Sequence, residues 1–165
     1  MACRHLVRSG RANMATTVER SQRLLRIIQR LDVRIDAAMD LAGELIATEA
    51  RRSIQKSRRG GRTYEKYNPR RTHVASKDWQ APATDTGELV RSITTHVDYQ
   101  AKIFYVISST QIAPYNRALE FGSLGTNLYP RPFLRPALVK KQAVVFTRMS
   151  KAVNKALQDA RNGTI

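Results

Sequence analysis

The chain has 165 residues, enough for one domain with a real core and too few for two comfortable ones. Apolar residues make up 42% of it, which excludes a wholly disordered tail, and no apolar run of about 18 residues is present to form a helical membrane span. A formal charge of +16 excludes an electrically neutral surface and points to a polyanionic neighbour: nucleic acid, acidic protein or anionic lipid.

The charge is concentrated. Residues 51–77 carry ten Lys or Arg against Glu65 alone, and residues 131–161 carry eight against Asp159 alone. A surface built only for solubility would mix both signs. The single cysteine, Cys3, excludes an internal disulfide and fits a reducing compartment. The first residues lack the apolar core of a signal peptide, so secretion is not expected.

In chain order, residues 1–16 read as a flexible basic arm, with Met14 a second candidate start. Residues 17–165 read as a single α+β domain. Residues 17–57 predict a long helix. Leu24, Ile28, Leu31, Ile35, Ala38, Ala42 and Leu45 recur at steps of four and three, and Leu25, Met39, Leu41 and Ile46 widen the stripe. Only about three heptads are clean, which favours packing within the chain over a free coiled coil. Gly43 is a candidate bend.

Residues 57–84 read as a basic insertion loop, punctuated by Gly60-Gly61 and two prolines. Tyr64, Tyr67, His73 and Trp79 interleave with Arg58, Arg59, Arg62, Lys66, Arg70 and Arg71. Such rings can stack on bases while the cations hold phosphates. A surface loop with a few rings tucked against the body has the same composition. No motif of a known RNA-binding module is visible.

Asp85 or Thr86 can cap a turn that leads into a strand. Ile93, Thr95 and Val97 alternate with Ser92, Thr94 and His96, and residues 102–108 form a second β-rich run, so 98–101 makes a hairpin loop. Pro114 suits the first position of a short helix over 114–121, and Gly122 the left-handed position past its end. Tyr115, Ala118, Leu119 and Phe121 fall mostly on one side of it. A third strand is expected over 123–131. Pro130 and Pro132 hold Arg131 extended, and Phe133 is an anchor for the core or for a neighbour's pocket.

Pro136 opens a last helix over 136–160, closed by Asn162-Gly163. Leu138, Val144 or Val145, Met149, Val153 and Leu157 mark its apolar stripe, and Lys140, Lys141, Arg148, Lys151 and Lys155 its basic face. The fold class is α+β: a small antiparallel sheet packed by a long N-terminal helix and a C-terminal helix.

Catalytic chemistry is not legible. His5, His73 and His96 show no metal-ligand spacing with Cys or acids. Cys3 has no positioned base. Gly122-Ser123-Leu124-Gly125 is not a nucleophile elbow, and Gly60-Gly61 lacks the Lys-Ser/Thr of a phosphate loop. The chain is expected not to be an enzyme and to use no catalytic residue, metal or cofactor. Glu120 stands out instead. It lies in the last turn of the short helix, where the carbonyl end of the dipole disfavours an anion. It therefore needs a cation: Arg117 one turn back, or Arg131 or Arg135 beyond the loop. A solvated pair and a part-buried pair that fixes the loop or crosses a subunit boundary both remain open.

Three elements stand in order along the chain: PATDTGELVRSI over 82–93, YNRALEFGS over 115–123 and PRPFLRPA over 130–137. Together they resemble the bacteriophage neck, or putative tail-component, family typified by gene product ten of the HK-type siphophage. Members of that family often carry P-x-x-DTG-x-L-x-x-SI, YA-x-x-x-EFGT and P-x-PFLRPA. The resemblance covers roughly residues 18–155. Asn116 stands where the family has a small residue, and Ser123 where it has Thr.

The resemblance implies a structural role at the phage head–tail junction, in a neck or tail-completion protein assembled in the host cytoplasm and placed in the virion. It implies a homo-oligomer, as a ring closed by heterologous contacts. It also implies contacts to connector, tail-terminator or tail-tube proteins and to the genome DNA, and none to a membrane. The assembly residues it implies are Tyr115, Glu120, Phe121, Gly122, Arg131, Pro132, Phe133, Arg135 and Pro136, with Asp85 and Gly87. The charge pattern adds Arg58, Arg59, Arg62, Arg70 and Arg71 as candidate contacts to DNA or another polyanion. The alternative, resting on charge and rings alone, is a nucleic-acid-binding module.

Overall fold

The structure, a computed structural model, describes residues 6–67 and 70–161, with side chains from residue 17 onward except that of residue 160. Helix α1 runs over Leu6–Lys56. Strands β1, Thr63–Tyr67, and β2, Arg70–Val74, pair antiparallel. Helix α2, Glu88–Ser92, leads straight into β3, Ile93–Asp98, which pairs antiparallel with β4, Ile103–Ser108. Helix α3, Asn116–Phe121, a 3-10 turn at Leu124–Thr126 and helix α4, Leu134–Arg161, complete the order. The fold is α+β, with two separate two-stranded sheets in place of the one expected.

Two compact units divide the chain. One is Ala38–Met149 and holds every strand and both short helices. The other is made from the start of α1, up to Ala37, and the end of α4, from Ser150. In that helical unit Arg34 pairs with Asp159 at 2.5 Å. Of the predicted stripe Leu24, Leu25 and Ile28 are exposed, as are Val18 and Val33 beside it, while Leu31 and Ile35 are half-buried.

In the larger unit α1 buries Ala42, Ile46, Ala47, Ala50 and Ile54 against Leu89, Ile93, Ala113, Phe133, Ala137 and Val145. The alanines on that stripe let the helix approach its neighbours closely. Gly43 belongs to the same contact and was not chosen for a bend. A Cβ there would lie 3.2 Å from Thr95 Cγ2, so its missing side chain makes room for β3.

Several expectations need correction. Residues 6–16 of the supposed arm are helical, and residues 1–5 lie outside the described residues. The basic loop contains the β1–β2 hairpin, whose register sets Tyr64 opposite His73 and Lys66 opposite Arg71. Tyr and Thr supply the strand preference there, and the dense cations hid the alternation. The turn at 68–69 lies outside the described residues.

The third strand over 123–131 reduces to one isolated bridge, Ser123 to Leu128, around the 3-10 turn. Asn127 sits at φ 52, left-handed and incompatible with a continuing strand. Pro114 precedes Tyr115, the N-cap of α3, and is not inside the helix. Helix α4 begins at Leu134, ahead of Pro136, and the expected stop at Asn162-Gly163 lies outside the described residues. Its buried side runs through Leu134, Ala137, Lys141, Val145, Met149 and Ala156, while Leu138 and Leu157 are exposed.

Candidate functional site

Glu120 does not find its partner among the arginines proposed for it. Its carboxylate receives three main-chain N–H groups at the start of α4. Phe133 and Leu134 donate to Oε2 at 2.8 and 3.1 Å, and Arg135 donates to Oε1 at 2.9 Å. The first N–H groups of a helix have no partner within it, and the positive end of its dipole favours an anion. The next residue, Pro136, has no N–H to satisfy. One side chain from α3 and one proline therefore complete the cap of α4. The EFG and PFLRPA elements form a single joint.

The rest of the joint is fixed by main-chain bonds. Gly122 adopts φ 81 and ψ 174, and its N–H donates to Ala118 O. A Cβ at Gly122 would lie 2.9 Å from Leu128 O and 3.0 Å from Pro130 Cδ, so glycine is required twice over. Arg131 N–H donates to Leu119 O at 2.6 Å, and Trp79 N–H to Pro130 O at 2.8 Å. Arg131 is 6% exposed, and its guanidinium donates from Nη2 to Asp78 Oδ1 at 3.1 Å. Arg131 thus ties the joint to the 78–79 segment and does not serve Glu120.

Phe133 is 1% exposed and lies in the protein's own core, with Pro132 half-buried beside it. Phe121 is 74% exposed and Tyr115 is also exposed, so of the expected apolar face of α3 only Leu119, packed against the core, and the half-buried Ala118 turn inward. The buried residue of α3 is Asn116, whose Nδ2 donates to Ser108 O at 2.6 Å. Burial raises the Tyr115 pKa, with Glu88 and Asp85 adding to it. The Arg135 side chain and Pro136 face solvent.

Asp85 does not cap a turn. Gly87, at φ 81, is the N-cap of α2, and Glu88 N–H reaches Thr86 Oγ1 at 3.4 Å. Asp85 instead holds the hairpin. It pairs with Lys66, with Arg71 Nη2 at 3.5 Å, and lies 3.7 Å from His73 Nδ1. Lys66, Arg71 and His73 share one face of the hairpin with Tyr64. The Lys66 hydrogen bond holds the Asp85 carboxyl below its usual range against the cost of burial. Burial pushes the His73 pKa down, outweighing Asp85, so the ring is neutral at pH 7. Two cations of the basic segment are thus engaged by the DTG element. Arg58, Arg59, Arg62 and Arg70 remain exposed, with Arg62 stacked 5.8 Å from the Tyr64 ring.

Sequence reasoning passed over Glu49. It is 5% exposed, and its carboxylate pairs with Lys140 and, at 3.2 Å, with Lys141. The signal was present, because Glu49 lies on the same helical stripe as Ala42 and Ile46. The Lys140 hydrogen bond holds its carboxyl below the usual range despite burial, with Lys141 adding to it.

Acid should therefore destabilise the protein in two stages. A histidine with a depressed folded pKa loses stability as pH falls below its unfolded value of about 6.5. Carboxylates with depressed pKa values stabilise fully above about pH 4.3 and lose that stabilisation as pH falls through their folded values. Urea midpoints from about pH 8 to 3 should fall in both windows. His73→Gln should remove the upper stage and Glu49→Gln should shrink the lower one. A parent midpoint unchanged between about pH 7 and 5 would refute the His73 stage.

Among the described residues no group of three or more His, Cys, Asp or Glu is placed to hold a metal ion, and no helix is long and apolar enough to cross a membrane. Comparison with protein-family models, curated proteins and solved structures found no match to this chain.

Proposed function

We propose that this chain is a non-catalytic structural protein of a phage head–tail connector, a neck or tail-completion component that works in the virion as a homo-oligomeric ring. The observation that carries the reading is the Glu120 cap, which joins two of the three sequence elements into one joint. The third element also serves to position chain, since Asp85 clasps the hairpin through the side chains of Lys66 and Arg71. Motif residues spent on holding structural segments in place fit an assembly part. Phe121, Leu124 and Tyr129 stand exposed beside the joint and suit docking to neighbouring proteins. The uncovered stripe at Leu24, Leu25 and Ile28 suits contact between copies. Negative-stain microscopy of the full chain, alone and mixed with the proteins of neighbouring genes, tests the reading. Rings, or capture onto a portal or tail tube, are expected. A monomer that joins none of them, together with normal particles in its absence, would overturn it.

A nucleic-acid contact is the second reading, favoured by the exposed Arg58, Arg59, Arg62 and Arg70 in a segment that also exposes Tyr67 and Trp79. Changing those four arginines to Ser should weaken DNA binding and reduce the slope of log K against log salt by about 3. The melting temperature should hold, because none of the four is buried. Lys151→Ser with Lys155→Ser is the control, since both lysines are exposed. Lys140 and Lys141 are unsuitable because they serve Glu49. Unchanged binding of the Arg variant at about 50 mM salt would remove DNA from this segment.

A further inference from the structure

The sheet of β3 and β4 has only two strands, and among the described residues nothing pairs with the far edge of β4. The alternation of the ladder says which groups face that edge. Ser109 N–H donates to Ser92 O, so the next pair, Ile93 and Ser108, is a non-hydrogen-bonded one. Ile103, Tyr105 and Ile107 then exchange main-chain bonds with β3. Phe104, Val106 and Ser108 turn theirs outward. Ser108 O is taken by Asn116 Nδ2, which agrees with this assignment. The outward groups of Phe104 and Val106 have no strand partner.

Along this edge lies a groove of about 650 Å³. Residues 104–108 line it without a break, and Ile46, Phe121, Phe133 and Leu138 add apolar walls. Ile103, Tyr105 and Ile107 are also exposed on the outer face of the strand. Natural edge strands are blunted by charge, proline or a bulge, and β4 reads IFYVIS with none of these. The charged lining residues are Arg117, Arg135 and Glu120. The Glu120 carboxylate is committed to three amides, which leaves the two exposed arginines as the groove's free charge.

We infer that the free edge of β4 is a docking site for an extended segment of another protein, one that adds as a third strand, alternates apolar side chains and carries acidic residues at its ends. Main-chain bonds to Phe104 and Val106 supply affinity, and the walls and the arginines supply selection. Arg117 and Arg135, the free charge of the groove itself, favour an acidic occupant. The inference rests on the assembly reading only for the idea that the chain docks onto other proteins. Peptide binding and ring formation are separate measurements, so each can fail alone.

The probe is a labelled peptide of about eight residues, alternating Val and Thr with Glu at both ends. It should bind the full chain saturably. Replacing the end Glu residues by Lys should weaken binding by about tenfold or more, as should Arg117→Ser with Arg135→Ser. Methylating the peptide nitrogens that face β4 should abolish binding. Val106→Pro should do the same, since it deletes an outward N–H and leaves the β3 ladder intact. If that variant melts early, the methylated peptide on the parent protein still decides. Equal binding of the Lys-ended or methylated peptide would overturn the inference. So would a concentration-dependent dimer lost in Val106→Pro, which would assign the groove to a second copy.

Discussion

Phe133→Ala is expected to lower stability by about 3–5 kcal/mol, the largest effect of any single truncation considered for this chain. The ring is 1% exposed among Ile46, Leu89, Ile93 and Val145, and emptying its site leaves a cavity that rigid neighbours can only partly fill. The position is constrained on both sides. Its N–H is held by Glu120, and Pro132 precedes it, so the backbone cannot slide inward to fill the space. Phe133→Leu keeps most of the volume and should cost roughly 1–1.5 kcal/mol. Urea unfolding followed by circular dichroism measures both, and the cooperative transition to follow is that of the unit Ala38–Met149. An alanine variant that unfolds at the parent's midpoint would show that the ring is not part of the core. Ring or particle assembly should fail with the fold, at temperatures where the variant has melted.

What could be read from the sequence was what repeats with a period. The buried positions Met39, Ala42 and Ile46 of α1, the strand alternation at Ile93, Thr95 and Val97 and the hairpin turn before β4 follow from spacing, whereas Leu41 of the same stripe is exposed and Ala47, Ala50 and Ile54 were not read. Phe133 was legible as an anchor because prolines flank it. The missed features depend on groups far apart in the chain. Glu120 looked like an acid at the wrong end of a helix, and only the packing of α3 against the start of α4 turns it into a cap for another helix. Glu49 needed Lys140 and Lys141 from the opposite end of the chain. The β1–β2 hairpin was hidden because its cations suggested solvent, whereas Lys66 and Arg71 turn to Asp85. Local charge says that a partner is needed and does not say which one.

That distinction makes Glu120 the most informative second substitution. Glu120→Ala removes the acceptor for three amides at once. Loss of an ordinary cap costs about 1–2 kcal/mol, and loss of the charge at a helix N-terminus adds up to about 1. A total of about 2–3 kcal/mol is expected. Glu120→Gln should fall between, because its carboxamide keeps one accepting oxygen and places an NH2 donor against an N–H. Hydrogen exchange gives the local signature: the amides of Phe133, Leu134 and Arg135 should lose protection in the alanine variant more than those in the middle of α4. The charge-swap experiment separates the cap from an ion pair. Glu120→Arg should be at least as damaging as Glu120→Ala, and adding Arg131→Glu or Arg135→Glu should rescue neither stability nor assembly. Arg131 already serves Asp78, so its reversal should add a second defect. Rescue by either reversal would mean that Glu120 acts through an arginine, and the joint between the EFG and PFLRPA elements would have to be reread as electrostatic pairing.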